Sequence, residues 1–127
     1  MPYNVKPANR LYITFRVGRQ MYFSSRLVQA LDLKPGIRFE VKLDSKEHKL
    51  RLQELLAAPE NGVYHVQTSM IGNRLADGTD GIMIVDRELL EGLLVPKDRT
   101  LCRPVTIIMN RSPRCIEFNY PTEEDSE

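Results

Sequence analysis

The sequence has little of what membrane, secreted and zinc-binding proteins need. No apolar run approaches the ~20 residues of a membrane-spanning helix. The first ten residues lack the apolar stretch of a secretory signal, so we expect a cytoplasmic protein with no membrane partner. The two histidines and two cysteines form neither a CxxC pair nor a His pair, which excludes the common zinc patterns.

The sequence also lacks the motifs of common enzyme classes. Neither His48 nor His65 belongs to a recognisable pattern of nucleophile, histidine and carboxylate that would indicate a hydrolytic triad. Neither common phosphate-binding glycine loop is present. The acidic segment Asp77–Gly81 has too few ligands for a calcium loop, so we interpret it as a turn. We therefore expect no catalytic residues, no metal, no cofactor and no enzymatic activity.

Cys102 and Cys115 are predicted to be reduced thiols. If the turn Asn110–Pro113 joins two antiparallel strands, Cys115 lies opposite Ile108, six positions from Cys102. At ~3.3 Å per residue this separation is about 20 Å, which is too far for a disulfide.

What the sequence does contain is a pattern that occurs twice, in Met21–Gly36 and Met83–Asp98. At a spacing of 62 positions a helix-capping residue recurs, as Ser24 and Asp86. Apolar residues coincide at the same spacing: Met21 with Met83, Phe23 with Val85, Leu27 with Leu89, Leu31 with Leu93, and Leu33 with Val95. Such a duplication predicts a pseudo-symmetric body.

Each half is predicted to hold a strand, a short strand, a short helix and a hairpin. In the first half these are Leu11–Val17, Met21–Phe23, a helix of about two turns capped by Ser24 or Ser25 and ended by Pro35-Gly36, and a hairpin of Ile37–Leu43 and Lys49–Gln53 around the turn Asp44–His48. In the second half they are Val63–Ile71, Ile82–Val85, Asp86–Leu94, and a hairpin of Val105–Met109 and Cys115–Tyr120, with the long loop Gly72–Gly81 after the first strand.

One half alone would have open strand edges and an unburied apolar face, and pairing two halves closes a barrel-like core. We therefore predict a mainly β protein with short helices, folded as a pseudo-two-fold barrel of two strand-strand-helix-hairpin repeats. Residues 1–120 are predicted to form a single duplicated barrel domain, with repeat one at about 11–54 and repeat two at about 63–120. The segment 121–127 carries four acidic residues and no apolar one, so we expect a disordered acidic tail.

The first half resembles the AbrB/SpoVT family. The match rests on Val17-Gly18-Arg19 at the end of a strand and on Leu27–Val41, where leucines four apart, a Pro-Gly exit and an alternating strand follow one another. The resemblance implies a swapped-hairpin barrel, usually homodimeric, and many members bind DNA as transition-state regulators or antitoxins. Two copies in one chain imply a fused dimer, so a monomeric pseudo-dimer or a homodimer is expected. The apolar pattern also suits the related double-psi barrel, which often binds proteins or small substrates.

Basic residues dominate the start of the chain. No acidic residue precedes Asp32, whereas five basic residues do: Lys6, Arg10, Arg16, Arg19 and Arg26. Alternation places Arg10, Tyr12, Thr14 and Arg16 on the outward face of the first strand, and the resemblance implies that Arg19 contacts DNA. In the second half Arg74 is the plausible counterpart of Arg19. We predict a non-enzymatic DNA-binding protein, a prokaryotic or phage transcriptional regulator, that uses Arg10, Arg16, Arg19, Arg26 and Arg74 with the first half dominant.

Two alternatives remain open. The arginines could form an ordinary solvated strand face with ion pairs to Glu40 or Glu54. The protein could instead be a protein–protein interaction module, antitoxin-like or a phage or mobile-element accessory protein, that keeps the barrel without binding DNA. A net charge of only +1 favours this second alternative, because many nucleic-acid binders are more basic.

Overall fold

The structure, a computed structural model, describes residues 10–16, 20–57, 62–71, 81–86, 88–89 and 100–121 of the 127-residue chain. The described residues form eight strands and the helix α1. In chain order the elements are β1 (Tyr12–Arg16), β2 (Gln20–Phe23), α1 (Ser25–Leu31), β3 (Arg38–Asp44), β4 (Lys49–Glu54), β5 (His65–Met70), β6 (Ile82–Ile84), β7 (Leu101–Met109) and β8 (Cys115–Asn119). The prediction of a mainly β protein is confirmed.

The eight strands form one closed antiparallel barrel in the order β1-β2-β6-β5-β3-β4-β8-β7. Each hairpin pairs with the opposite half of the chain, because β3 lies beside β5 and β7 lies beside β1. Exchanging β1–β4 with β5–β8 leaves the circular order unchanged. A closed barrel has no free strand edge to pair with another chain. The predicted barrel closure is therefore confirmed.

The barrel interior is filled by the residues that alternate inward along each strand. Ile13 and Phe15 on β1 are fully buried, and so are Leu50 and Leu52 on β4. The residues of β1 that alternate with Ile13 and Phe15 point outward: Tyr12 and Thr14 are half-buried, and Arg16 is exposed. This two-residue period is the one that the sequence predicts for half-buried strands.

The helix α1 begins and ends as its sequence allows. Ser24 is the N-cap, and its hydroxyl accepts a hydrogen bond from the Leu27 N–H at 3.3 Å. The buried residues Leu27, Val28 and Leu31 place one face of α1 against the barrel core. The helix ends at Leu31 because Asp32 takes a left-handed conformation, with φ 48° and ψ 48°. The predicted stop at Pro35-Gly36 is therefore three residues too late.

The spacing of 62 holds for the helix caps and is wrong for the strands before them. Asp86 Oδ1 accepts from the Leu89 N–H at 2.9 Å, which repeats the bond from Leu27 to Ser24 at that spacing. Phe23, however, is 2% exposed, whereas Val85, its predicted counterpart, is 53% exposed. Successive residues of a strand point to opposite faces, so a shift of one position exchanges inward and outward residues. The inward-facing counterpart of Phe23 is therefore Ile84, 61 positions away.

The second hairpin also departs from the predicted register. β7 begins at Leu101 rather than Val105, since Pro104 is accommodated opposite Tyr12 on its exposed side. An irregularity between Ile107 and Met109 then shifts the pairing by one residue. Cys115 therefore lies opposite Met109, and the prediction that it lies opposite Ile108 is wrong. Both cysteines are free and buried.

Several predictions fall on residues outside those described. They concern Val17, the loop at 72–80, the helix beyond Leu89, and the acidic tail at 122–127. The described residues include no helix with the length and hydrophobicity needed to cross a membrane.

Candidate nucleic-acid interface

We use the name arginine surface for three exposed residues of the first half: Arg10, Arg16 and Arg26. Arg10 lies before β1, with φ at 60°, so the strand alternation that is predicted to orient it does not extend to it. Its carbonyl accepts a hydrogen bond from the Ser24 hydroxyl at 2.7 Å. That bond ties the entry of β1 to the start of α1, two residues before Arg26 in the chain.

Arg16 lies at the other end of β1. It is four positions from Tyr12, which corresponds to about 13 Å along a strand at ~3.3 Å per residue. Its guanidinium carbon is 5.9 Å from the centroid of the Tyr22 ring on β2, within the range of a cation–π contact. The structure thus brings Arg10 and Arg26 to one end of the β1–β2 pair and Arg16 to the other.

The Tyr22 side chain contacts a second polar residue. Its hydroxyl donates to Oε1 of Gln20, and Gln20 lies directly opposite Arg16 in the pairing of β1 with β2. Tyr22 and Gln20 are half-buried, so both are restrained by their surroundings while remaining accessible. Arg16, Gln20 and Tyr22 together form an ordered polar cluster on the outside of the barrel.

The two glutamates that could neutralise these arginines are engaged elsewhere. Glu54 pairs with Arg114 at 2.8 Å, and Glu40 pairs with Lys42 at 3.7 Å. Within the described ranges, none of the three arginines of the surface forms an ion pair with a carboxylate. The predicted ion pairs of these arginines with Glu40 or Glu54 are therefore not formed, and a solvated strand face stays an alternative.

Arg114 has a role that the sequence does not indicate. From its position beside the second hairpin turn, the sequence alone predicts a plain surface charge. Its guanidinium instead donates to Glu54 Oε1 at 2.8 Å, to the Leu31 carbonyl at 2.5 Å and to the Asp32 carbonyl at 3.2 Å. Its side chain is 15% exposed. One residue of the second half thus holds the C-terminal end of α1, which carries Arg26 near its other end.

The second half has a comparable contact at its own capping residue. The Tyr64 hydroxyl donates to Asp86 Oδ1 at 2.5 Å, and that same oxygen accepts from the Leu89 N–H. Burial and then the Asp86 carboxylate raise the pKa of Tyr64 above its ordinary value. Both effects disfavour the phenolate, so this contact stays a neutral hydroxyl donating to a carboxylate.

The first strand of the second half offers no arginine. Its exposed residues are His65, Gln67, Ser69 and Met70. On the neighbouring strand Met83 lies opposite Tyr22, and it carries no charge. Arg74, the predicted counterpart of Arg19, lies outside the described residues, and so does Arg19. Of the five arginines predicted for the interface, the structure describes the three that form the arginine surface, all in the first half.

Sequence reasoning missed Gln20, Tyr22 and Arg114. A signal for Gln20 was available in the sequence, because Gly18 favours a tight turn that brings the segments on its two sides together, and the structure pairs Arg16 with Gln20. No comparable signal exists for Arg114, whose contacts with Glu54 and Leu31 span 60 and 83 positions of the chain.

Metal chemistry has no support in the described residues, which contain no group of three or more His, Cys, Asp or Glu side chains arranged to hold a metal ion. The fold and surface together define a class: a closed, eight-stranded antiparallel barrel in which most of the exposed arginines among the described residues lie in the first half. Comparisons with protein-family models, curated proteins and solved structures find no match to this chain.

Proposed function

We propose that this protein is a non-enzymatic DNA-binding protein that acts in the cytoplasm as a prokaryotic or phage transcriptional regulator of the AbrB-like type. The observation that carries the proposal is the arginine surface, whose three guanidinium groups are exposed and have no carboxylate partner among the described residues. Guanidinium groups bind phosphate oxygens through strong charge-assisted hydrogen bonds. The protein would occupy DNA and block or reshape access to it, without a cofactor.

The position of Arg26 supports this function. It lies in the first turn of α1, which contains no acidic residue. The partial positive charge of a helix N-terminus disfavours a cation there by a few tenths of a kcal/mol, roughly, in exposed positions. The charge of Arg26 therefore does not stabilise the helix. Binding of an external anion explains better why an arginine stands at this position.

The two halves of the chain have related strand orders and related capping bonds. Two copies of one AbrB-like unit, fused in one chain, would explain why the strand order survives their exchange and why capping bonds recur at Ser24 and Asp86. One chain would then be a pseudo-dimer with unequal halves. Arg19 and Arg74 stay in the proposed interface on the sequence prediction alone.

A salt-dependent titration tests the proposed function. Fluorescence anisotropy of labelled duplex DNA is measured from about 50 to 200 mM salt, over which electrostatic binding weakens steeply. The variant R10A/R16A/R26A should bind more weakly. Its plot of log K against log salt concentration should be less steep, by about 0.9 for each phosphate that the variant no longer neutralises.

The matched control is K34A/K42A/K46A, which removes the same charge from exposed positions elsewhere on the protein. It should keep most of the parent affinity. Equal losses of affinity in the two triple variants would mean that the arginine surface is not the interface, and no binding by the parent protein would refute DNA binding altogether.

The second candidate is a protein-interaction module. It is favoured by exposed apolar side chains in both halves, among them Leu56, Met70 and Val85, and by the first strand of the second half, which carries no arginine. Exposed apolar side chains suit a protein partner better than a polyanion. A pull-down with and without nuclease separates the two candidates: a protein partner that persists after nuclease treatment, with no nucleic acid recovered, supports this one.

A further inference from the structure

The strand β8 carries the chain toward the end of the barrel where Arg16 lies. β8 and β1 are both antiparallel to β7, which separates them, so β8 and β1 run in the same direction. Phe118 on β8 lies opposite Val105, and the Val105 N–H donates to the Leu11 carbonyl at 3.0 Å. Phe118 is therefore level with Leu11, just before β1, and the chain leaves β8 toward the level of Arg16.

The chain after β8 is long enough to reach Arg16. Pro121 is the last residue that the structure describes, three positions beyond Phe118 and so about two positions short of the level of Arg16. Two strand spacings of ~4.8 Å sideways and two residues of ~3.3 Å along the strands place Arg16 about 12 Å from Pro121. The six residues after Pro121 span at most about 20 Å. Arg10 is farther away, in the direction opposite to that in which β8 runs.

The segment that follows Pro121 is complementary in charge to Arg16. We use the name acidic tail for residues 122–127, which include no basic residue and four acidic ones: Glu123, Glu124, Asp125 and Glu127. Arg16 is exposed, and no carboxylate among the described residues pairs with it. Carboxylates form strong charge-assisted hydrogen bonds with guanidinium groups. Because the tail is joined to β8, it meets Arg16 at an effective concentration on the order of millimolar.

We propose that the acidic tail binds Arg16 in the DNA-free protein and competes with DNA phosphates for it. The inference rests on the proposed function and adds its regulation, namely an autoinhibitory contact within the chain. The tail offers carboxylates to one end of the arginine surface, whereas Arg10 and Arg26 lie at the other end of the β1–β2 pair. The contact therefore lowers the affinity for DNA and does not abolish it.

The test measures fluorescence anisotropy of labelled duplex DNA with the full chain at about 50 and 200 mM salt. The variant E123Q/E124Q/D125N/E127Q removes the charges of the tail and keeps its length. It should bind about threefold to tenfold more tightly than the parent at the lower salt concentration, the size expected of one or two exposed ion pairs. The gain should shrink at the higher concentration, because salt screens exposed charges. In an Arg16→Ala background the gain should fall below about twofold, since the partner of the tail is then missing.

Arg26→Ala and Lys46→Ala are the matched backgrounds. Arg26 belongs to the far end of the arginine surface, and Lys46 is an exposed cation of the β3–β4 turn, which the chain passes where the Tyr120 N–H donates to the His48 carbonyl. The gain should persist in both. A gain that persists equally with Arg16→Ala shows a general repulsion between tail and DNA, and a gain lost with Lys46→Ala places the tail on the β3–β4 turn. Either result, or no gain at all, overturns the inference while DNA binding by the parent stands.

The NMR signal of the Arg16 side-chain Nε–H reports the contact without DNA. It should move between the parent and the tail variant, whereas the corresponding signal of Arg26 should stay in place. An unmoved Arg16 signal overturns the inference whatever the titrations show. If neither the parent nor the tail variant binds duplex at any salt concentration, the proposed function fails, and the competition with DNA fails with it. Thermal melts of each variant show whether its fold is intact.

Discussion

Arg114 and Glu54 form an ion pair in which Nη1 lies 2.8 Å from Oε1, and both side chains are mostly buried. The Arg114 backbone N–H donates to the same carboxylate oxygen at 2.9 Å. Because the guanidinium also holds two carbonyls at the end of α1, this pair joins the second hairpin to the end of β4 and to the helix. It is the best-connected polar contact between the two halves in the described part of the chain.

Replacing Arg114 by alanine should destabilise the protein by about 2–4 kcal/mol. The substitution leaves the Glu54 carboxylate mostly buried without its charged partner, and it removes the donors to the Leu31 and Asp32 carbonyls. Urea unfolding followed by circular dichroism measures the change in the free energy of unfolding. Arg111→Ala, at an exposed position of the same turn, is the control and should change stability by about 0.5 kcal/mol or less. Equal effects of the two substitutions would contradict the role assigned to Arg114.

Replacing Ser24 by alanine should cost about 2 kcal/mol, the upper end of the range for an N-cap. The hydroxyl does more than cap α1, because it also accepts from the Tyr12 N–H at 3.2 Å and donates to the Arg10 carbonyl at 2.7 Å. Urea unfolding again gives the difference. Ser25→Ala, one residue later, should be close to neutral; a similar destabilisation there would show that the contacts of Ser24 are not the cause.

Stability should fall at high pH through Tyr64. Burial, followed by the hydrogen bond to Asp86, raises the pKa of Tyr64 above its ordinary value of about 10. Above pH ~10 the unfolded chain loses this proton while the folded protein keeps it, so the free energy of unfolding declines with rising pH. The contribution is fully present below pH ~10. Urea midpoints between about pH 8 and 11 should fall more steeply for the parent than for Tyr64→Phe, and parallel curves would count against this pKa shift.

Replacing Arg26 by glutamine should separate binding from stability. DNA affinity should fall, and the slope of log K against log salt should decrease by about 0.9, because one phosphate contact is removed. Stability should stay unchanged or rise by up to about 0.5 kcal/mol, because the helix N-terminus no longer faces a cation. Anisotropy titrations and thermal melts measure the two quantities. A variant that loses stability and keeps its affinity would place Arg26 in the fold rather than in the interface.

Much of the local structure could be predicted from residue patterns alone. Alternation identified the inward faces of β1 and β4, where Ile13, Phe15, Leu50 and Leu52 are fully buried. The serine cap predicted the start of α1, since a hydroxyl that accepts from the third following N–H is a local interaction. These predictions succeeded because each depends on residues a few positions apart.

The failures have a physical cause in common. The pairing of Phe23 with Val85 failed because one additional residue before the Asp86 cap inverts the facing direction of a strand. The partner of Cys115 was missed because a bulge moves the register without a clear sequence signal. Arg114 was misread because its partners lie far away in the chain.

The order of residues was sufficient to determine which segments become strands, which side of each strand faces the core, and where α1 begins. Only the folded barrel decided which strands are neighbours and which carboxylates form ion pairs with Arg114 and Lys42. It also decided which arginines stay exposed without a carboxylate partner. The reason is that a two-residue period specifies a face and says nothing about the partner strand, whereas partners are selected by closure of the whole barrel.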